Sequence, residues 1–320
     1  MSDGFRLGAH MRIAIIGAGG IGAIYGAALA RSGREVAFVA RGAHLAAMQQ
    51  NGLRIEGDRG ETLIRPAWAT DDIASIGPVD YVLLCVKLWD LETVGAQLRP
   101  IVGPDTAVVP VQNGVDAHER LIPILGREAV MGGTAFVTGS IVAPGTVRQT
   151  GTYFQIAFGE LDRVTSPRAE RLRDLCAAAG IDGVLSPDIL VSLWEKFVGL
   201  VPISSVNALT RMPMGKYRGD PDTWSLVETI LRETVAVGRA EGINLARDAV
   251  DRGLAMIRSM PDHHMTSMGN DLLRGNKLEL PWFAGKVVEL GRRHGIPTPV
   301  SGFAYAALKL HVNGAPPMSG

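Results

Sequence analysis

The stretch "MRIAIIGAGGIGAIYGAALARSG", Met11 to Gly33, holds a short apolar run, a glycine-rich loop and an apolar stretch with helical spacing. This order predicts a buried strand, a tight turn and a helix. Gly17, Gly19 and Gly22 match the pattern G-x-G-x-x-G, which allows a tight turn, close approach of a pyrophosphate and close packing of helix on strand. The stretch therefore predicts a dinucleotide-binding loop made of Gly17, Gly19, Gly20, Ile21 and Gly22.

The composition of the chain is that of an ordinary globular protein. Its 320 residues are 47% hydrophobic and 20% charged, which is enough for more than one domain. The 32 basic and 32 acidic residues balance, so no excess charge favours nucleic acid or an anionic membrane. We therefore expect a small-molecule substrate as the partner, and no nucleic acid or membrane.

Cysteine usage and hydropathy predict a cytoplasmic protein. Two cysteines only, Cys85 and Cys176, are typical of a reducing compartment without a disulfide framework. The first ten residues, "MSDGFRLGAH", have no apolar signal core and are expected to be a loose extension. No later stretch reaches the roughly 18 uninterrupted apolar residues of a membrane span.

From Met11 to about Gly180 the pattern alternates strand-like runs with helical stretches, which is typical of βαβ units and a mainly parallel sheet. The predicted strands are Arg12–Ile16, Glu35–Val39, Tyr81–Val86, Ala107–Val111 and Ala129–Phe136. The segment Gly145–Glu160 alternates branched or aromatic with polar residues around Gly151, so we expect an antiparallel pair that closes the sheet.

From about Leu190 onward, apolar residues recur at helical spacing. The predicted helices are Leu193–Leu209, Thr223–Glu241, Ala246–Met260, a stretch near Asp271, Pro281–His294 and Ser301–His311. The predicted fold is therefore α/β, with an N-terminal Rossmann-type dinucleotide-binding domain over residues 11–188 and an all-helical C-terminal domain over residues 189–315, which we expect to bind the substrate.

The second predicted strand ends in "VAFVARGAH", where an enzyme that uses NAD places an acidic residue against the ribose hydroxyls. Here Ala40 is followed by Arg41, whose guanidinium suits a 2′-phosphate, so the sequence favours NADP(H) over NAD(H). The alternative is a solvated surface arginine. Lys87 and Asn113 follow two further predicted strands and are expected at the same edge of the sheet.

The helical part must supply a proton donor and a clamp if the chain reduces a carbonyl group. Three polar residues stand out there: Lys196 within "LWEKFVGL", Ser267 and Glu279. Partial burial among apolar neighbours would lower the pKa of Lys196 and make it a usable acid. A lone helical lysine is more often a surface residue, so the spacing alone leaves both interpretations open.

Segments along the whole chain resemble, in the same order, those of the ketopantoate reductase (2-dehydropantoate 2-reductase) family: "IAIIGAGGIGAIYG", "ARGAHLAAMQQNGLRI", "VKLWD", "VQNGVD", "APGTVRQTG", "WEKF", "TSMGNDLLRGNKLELPWFAG" and "HGIPTPV". The resemblance implies that Lys196 is the general acid and that Glu279 helps to bind substrate and to organise the lysine. It also implies that Asn113 lies beside nicotinamide and substrate, Ser267 binds substrate and Lys87 lies at the cofactor crevice.

Departures from the family pattern concern the substrate. Ketopantoate-specific members carry asparagines four and eight residues after the lysine, where this chain has Leu200 and Ser204, and Met214 stands where an asparagine is usual. Each hydrogen bond lost to a buried substrate group costs about 1 to 3 kcal/mol. Ser204 remains a predicted substrate contact, and Asn207 is predicted to compensate from elsewhere on the helix.

The resemblance implies NADPH-dependent reduction of a 2-oxo acid to a 2-hydroxy acid, as in pantothenate biosynthesis, inside a closed interdomain cleft. Two alternatives remain: a relative that acts on a less polar oxo or hydroxy acid, and a non-catalytic NADP(H)-binding sensor. No metal is expected, because the adjacent His263 and His264 diverge on a helix. The long apolar stretch Trp224–Val237 makes a homodimer plausible.

Overall fold

The computed structural model describes residues 11–315, and these residues divide into two compact units between Ile189 and Leu190. The extension expected over the first ten residues lies outside the described range. The fold class predicted from the sequence is confirmed: a Rossmann-like parallel sheet with helices is followed by a helical unit.

The first unit contains all ten strands that the described residues form. They are β1 (Arg12–Ile16), β2 (Glu35–Val39), β3 (Leu53–Gly57), β4 (Thr62–Ile64), β5 (Trp68–Thr70), β6 (Val79–Leu84), β7 (Val102–Pro110), β8 (Gly132–Ala143), β9 (Thr146–Gly159) and β10 (Asp182–Leu185). Its helices are α1 (Gly20–Arg31), α2 (Gly42–Asn51), α3 (Leu91–Gln97), α4 (Ala117–Leu125) and α5 (Pro167–Ala178).

Five strands form a parallel sheet in the order β5-β2-β1-β6-β7. The central strand β1 is buried on both faces: Ile13 and Ile15 belong to one hydrophobic cluster, and Ala14 and Ile16 belong to another. Such two-sided burial explains why the strand is a continuous apolar run. Because the strands are parallel, the loops after β1, β2, β6 and β7 all leave the sheet at the same edge.

A second sheet, in the order β10-β9-β3-β4 with β8 beside β9, was not predicted. The predicted strand Ala129–Phe136 is instead Gly132–Ala143, which belongs to this second sheet and pairs antiparallel with β9. The predicted antiparallel pair within Gly145–Glu160 is wrong, because this segment forms one strand, Thr146–Gly159. The turn of the hairpin lies at Gly145, with φ of 74°, and Gly151 lies within β9.

The second unit is helical. Its helices are α6 (Ile189–Thr210), α7 (Met214–Arg218), α8 (Pro221–Ala240), α9 (Ala249–Arg258), α10 (Ser267–Leu273), α11 (Ala284–His294) and α12 (Pro299–Leu308), with short 3-10 turns at Leu280–Trp282 and Lys309–His311. Helix α7 was not predicted, and the predicted helix Ala246–Met260 begins later and ends earlier, at Ala249 and Arg258.

Two long helices are apolar because they form the core of this unit. Helix α6 is long and apolar enough to cross a membrane, but 67% of its most apolar window is buried inside the protein, as in a core helix. The apolar residues of α8, among them Val227, Ile230 and Leu231, are likewise buried. The predicted homodimer therefore gains no support from an exposed apolar face on α8, and it stays a prediction.

Candidate functional site

The glycine-rich loop between β1 and α1 is built from positions that tolerate no side chain and one that leaves open space. Gly17 has φ of 96°, which favours glycine. A Cβ at Gly22 would overlap the carbonyl oxygen of Gly17, so glycine is needed for the helix to pack on the turn. A Cβ at Gly19 would meet no protein atom within 4 Å. Gly17 and Gly22 are therefore required by the fold, whereas the space beside Gly19 is open to a ligand.

The start of α1 has the properties of a phosphate site. Its N-cap is Gly19, no side chain caps it, and no acidic residue lies in its first turn. The first N–H groups of a helix have no partner inside the helix, and the helix dipole favours an anion there. Gly20 differs from Gly19, because a Cβ on Gly20 would overlap the carbonyl oxygen of Gly139 on β8. The second sheet thus packs directly against the predicted cofactor loop.

Arg41 follows β2 and is the N-cap of α2. Its side chain is exposed, and it has no hydrogen-bond or ion-pair partner among residues 11–315. The preceding Ala40 is buried and carries no charge. An exposed guanidinium without a protein partner fits a phosphate group better than a pair of ribose hydroxyls. Together with the open glycine loop, it forms a donor set that could hold the phosphate groups of a nicotinamide dinucleotide.

Lys87 and Asn113 lie after β6 and β7, at the same edge of the sheet as the glycine loop. The loop that carries Lys87 comes close to the glycine loop, because a Cβ at Gly17 would lie 3.0 Å from the backbone nitrogen of Val86. Lys87 lies over the ring of Trp89, with 5.5 Å from its Nζ to the ring centroid. The structure thus brings the glycine loop, Lys87 and Asn113 to one edge, as predicted from strand order.

Gln112 is a residue of this edge that the sequence analysis missed. Its Nε2 donates to the carbonyl oxygens of Leu84, at 2.8 Å, and Val86, at 3.1 Å. These bonds tie the loop that carries Asn113 to the loop that carries Lys87. The signal in the sequence is a polar residue in "PVQNGVD" directly after a buried apolar run. Its Oε1 is buried and accepts no hydrogen bond from the described residues.

In the helical unit, Lys196 lies on α6 beside the buried residues Trp194 and Phe197. Burial lowers the pKa of the Lys196 ammonium from 10.5 to about 8, and the negative charge of Glu279 opposes that shift. Glu279 is 6% exposed and directly precedes the turn Leu280–Trp282. An ammonium with this pKa is still charged at neutral pH but gives up its proton far more readily than an ordinary lysine. In the structure, the carboxylate of Glu279 is thus near enough to Lys196 for its charge to influence the pKa of the lysine.

Ser267 is the first residue of α10, and its side chain is exposed. The preceding Thr266 caps the helix by accepting a hydrogen bond from the backbone nitrogen of Gly269 at 3.1 Å. Asn207 holds this start of α10 in place: its Oδ1 accepts from the nitrogen of Thr266 at 2.9 Å, and its Nδ2 donates to the carbonyl of Met212 at 2.8 Å. Asn207 is fully buried, so in this arrangement it acts on the backbone beside Ser267.

The three departures from the family pattern lie in different environments. Ser204 is fully buried on α6, and its Oγ has no hydrogen-bond partner. Met214 is fully buried at the start of α7, whereas Leu200 is partly exposed. A buried hydroxyl without a partner is uncommon, and the neighbouring Ser205 on α6 has the same property.

Comparison with known proteins finds a family match in each of the two units. The model of the family described as ketopantoate reductase PanE/ApbA matches residues 13–163, and the model of the C-terminal part of that family matches residues 188–312. A 2-dehydropantoate 2-reductase of Mesorhizobium japonicum is 32% identical, with 90% of this chain and 94% of the relative covered.

Solved structures agree with this assignment. The structure of 2-dehydropantoate 2-reductase from Geobacter metallireducens is 30% identical with a TM-score of 0.87, covering 94% of this chain and 99% of that chain. A D-mandelate dehydrogenase in a ternary structure with NADH and anilino(oxo)acetate has the same TM-score of 0.87 at 22% identity, covering 94% of this chain and 98% of that chain, which shows the common fold alone. With a family match over both units and a relative of this identity, the chain belongs to the ketopantoate reductase family of nicotinamide-dependent oxidoreductases.

Proposed function

We propose that this protein reduces a 2-oxo acid to a 2-hydroxy acid with NADPH, and that ketopantoate is the first substrate to test. The observation that carries the proposal is the position of Lys196 on α6 among buried apolar side chains, with the charge of the buried Glu279 acting on it; burial lowers the pKa of the lysine to about 8, and Glu279 opposes that shift. Because the chain belongs to the ketopantoate reductase family, we assign this acid to the protonation of a reduced carbonyl oxygen. Reduction of ketopantoate would place the protein in cytoplasmic pantothenate biosynthesis.

The preference for NADPH rests on the edge of the parallel sheet. The 2′-phosphate would lie against Arg41, which has no partner among the described residues, and the pyrophosphate would lie over Gly19 at the uncapped start of α1. Bound there, NADPH supplies the hydride for the carbonyl carbon. Lys87 and Asn113 follow the neighbouring strands, and we assign them to the nicotinamide side of the cofactor.

The protein's own part in the reaction is to supply and direct the proton. As the hydride adds to the carbonyl carbon, the π electrons move to oxygen, and Lys196 donates a proton from Nζ to that oxygen. Glu279 keeps the amine charged until the transfer, since its carboxylate favours the ammonium. Ser267 and Asn113 orient the substrate by hydrogen bonds, and Ser204 offers a buried hydroxyl for one polar group.

A 2-oxo acid with a less polar tail is the second candidate substrate. Leu200 and Met214 replace family asparagines with apolar side chains, and the hydroxyl of Ser204 is shorter than an amide. A ligand hydroxyl that meets apolar groups in place of its partners loses about 1 to 3 kcal/mol for each missing hydrogen bond. The anilino(oxo)acetate in the structure of the D-mandelate dehydrogenase of similar fold is an N-aryl oxamate, an amide analogue of an aryl 2-oxo acid, so aryl 2-oxo acids belong in the test.

The test is a steady-state assay of nicotinamide absorbance with NADPH or NADH and a panel of 2-oxo acids. The panel contains ketopantoate, 2-oxoisovalerate and phenylglyoxylate. We expect turnover with NADPH at a kcat/KM at least tenfold above that with NADH. Turnover of phenylglyoxylate alone would keep the reaction and replace the substrate. NADPH binding without turnover of any oxo acid would overturn the proposal in favour of a cofactor-binding sensor.

A further inference from the structure

One side chain connects the two segments that are assigned to the cofactor. His44 lies in the first turn of α2, three positions after Arg41. Its Nε2 is 2.9 Å from the carbonyl oxygen of Ala18, in the middle of the glycine loop. The glycine loop itself carries only small or apolar side chains from Gly17 to Gly22, so His44 supplies a side-chain hydrogen bond that the loop cannot make by itself.

The second partner of the imidazole determines its proton. The backbone nitrogen of Gly145, in the turn of the β8–β9 hairpin, donates to Nδ1 of His44 at 3.0 Å. Since Nδ1 accepts, the ring proton lies on Nε2, which therefore donates to the carbonyl of Ala18. Burial lowers the pKa of His44 below 6.5, which favours this neutral ring. Both bonds are thus made by a single tautomer.

The contact with Ala18 fixes the direction of a peptide group that faces the ligand space. The carbonyl of Ala18 and the N–H of Gly19 belong to one planar trans peptide, so they point in opposite directions. When His44 holds the carbonyl, the N–H of Gly19 is directed away from His44. Gly19 is the position where added atoms would meet no protein within 4 Å, so this N–H belongs to the peptide beside the open space.

The hairpin supports the same loop at a second point. Gly20 and Gly139 lie so close that neither tolerates a side chain, since a Cβ on either would overlap the backbone oxygen of the other. The turn of the hairpin, through Gly145, holds His44 from the other side. The carbonyl of Val39 accepts hydrogen bonds from the nitrogens of Gly17 and Ala18, and the packing at Gly20 and the bond from His44 to the carbonyl of Ala18 add to these restraints on the glycine loop.

We propose that His44 is a positioning residue for the dinucleotide: it holds the Ala18–Gly19 peptide so that the N–H of Gly19 donates to the pyrophosphate. The inference rests on the proposed use of NADPH, but it concerns a residue outside the glycine motif. It makes the affinity for the whole dinucleotide depend on the donor at Nε2. The acceptor at Nδ1 serves the hairpin.

Two amide substitutions separate the two bonds. In His44→Gln, the side-chain Nε2 reaches the position of the imidazole Nε2 and keeps the donor to Ala18. In His44→Asn, the Oδ1 takes the position of Nδ1 and keeps only the acceptor for Gly145. We expect His44→Asn to weaken NADPH binding about tenfold, which corresponds to about 1.4 kcal/mol, and His44→Gln to stay within about threefold of the wild type.

The measurements are the Kd for NADPH from nicotinamide fluorescence, the KM for NADPH, kcat at saturating NADPH, the Ki of adenosine 2′-monophosphate and the Tm of each variant. The fragment lacks the pyrophosphate and reports the Arg41 side alone. We expect KM to follow Kd, while kcat and the Ki of the fragment stay within about twofold of the wild type. A purely structural role would lower the Tm of both variants and weaken the fragment as much as NADPH.

Equal NADPH affinity in the wild type and in folded His44→Asn would overturn the role of His44 and leave the proposed function intact. Equal weakening in His44→Gln and His44→Asn would also overturn it, because the retained donor would then have no effect. If the wild type bound neither NADPH nor NADH, the proposed function itself would fail, and the role of His44 would fail with it.

Discussion

The edge of the parallel sheet and the Lys196 region of the helical unit are built on different principles. At the sheet edge, the candidate pyrophosphate contacts come from backbone, and the essential feature is the lack of side chains at Gly17, Gly19 and Gly22. In the helical unit, two charged side chains distant in sequence, Lys196 and Glu279, meet in an apolar surrounding. Substitutions at the sheet edge should therefore change cofactor binding through the shape of the loop. Substitutions near Lys196 should change the rate of proton transfer through charge.

The largest expected effect separates chemistry from cofactor binding. Lys196→Met removes the proton donor, and we expect kcat to fall by about 10² to 10⁴-fold while the Kd for NADPH stays within about twofold. The unfolding temperature should not fall, because a charge that burial disfavours is replaced by an apolar side chain of similar length. Steady-state kinetics, nicotinamide fluorescence and thermal unfolding measure the three quantities.

The matched control for this variant is Lys216→Met, which changes an exposed lysine on α7 and should leave all three quantities unchanged. If Lys196→Met retained more than about a tenth of the wild-type kcat, the proton would come from another group, and the contrast between the two regions would not hold.

The next prediction divides the glycine loop itself. Gly19→Ala adds a methyl group where no protein atom lies within 4 Å, so the fold should keep its Tm while the Kd for NADPH rises by about ten- to a hundredfold, since the methyl group occupies the phosphate space. Gly22→Ala meets the carbonyl of Gly17 and should lower the Tm by several degrees. Equal losses of Tm in both variants would contradict the assignment of Gly19 to the ligand.

Sequence and structure agree best where local patterns decide the fold. Strands β1 and β2 have the bounds that their apolar runs predict, because each run is buried on both faces of the sheet. The second sheet escaped prediction because β3, β4 and β10 contain only three to five residues of mixed polarity, and β3 joins the sheet by pairing with β9, more than 90 residues away. Gly151 was interpreted as a turn because it stands between two alternating runs, and glycine is common in turns; in the structure it has φ of 76° but lies within β9.

The site divides in the same way. The glycine loop and Arg41 follow from position after a strand, which the sequence displays directly. The spacing around Lys196 left catalysis and surface exposure open, and the link to Glu279 came only from the family resemblance; the structure supplies the charge interaction. His44 and Asn207 bind backbone groups distant in the chain, and no sequence pattern shows which backbone groups come near a side chain.

Asn207 gives a prediction of moderate size within the helical unit. Asn207→Ala leaves the carbonyl of Met212 and the nitrogen of Thr266 without their partner, and the buried nitrogen of Thr266 alone costs roughly 1 to 3 kcal/mol when unpaired. We expect a lower free energy of unfolding in urea and a raised KM for the oxo acid, because Ser267 directly follows Thr266. NADPH affinity should not change, and Asn244→Ala, at an exposed position, is the control.

This variant also tests the interpretation of Asn207 as a substrate contact. A raised KM with an unchanged free energy of unfolding would favour direct contact with the substrate, as the sequence predicted. A raised KM together with a lower free energy of unfolding would instead mean that Asn207 positions the start of α10.

The smallest expected effect concerns the pH dependence that Glu279 gives to Lys196. Burial lowers the pKa of Lys196 to about 8, and Glu279 is the group that raises it against that effect. Reduction needs the protonated amine, so kcat/KM for the oxo acid, which reports the pKa of the unliganded enzyme, should fall as pH rises through about 8. Glu279→Gln removes the opposing charge, so the pKa falls further and the alkaline limb of the profile moves to lower pH. A shift of one unit would lower the rate above that limb about tenfold.

Glu289→Gln, an exposed change on α11 beside Lys286, is the control and should leave the alkaline limb where it is. A limb that stays in place in Glu279→Gln, or that moves to higher pH, would mean that the group titrating in the profile is not the buried lysine, and the electrostatic half of the contrast between the two regions would then have to be assigned to another acid.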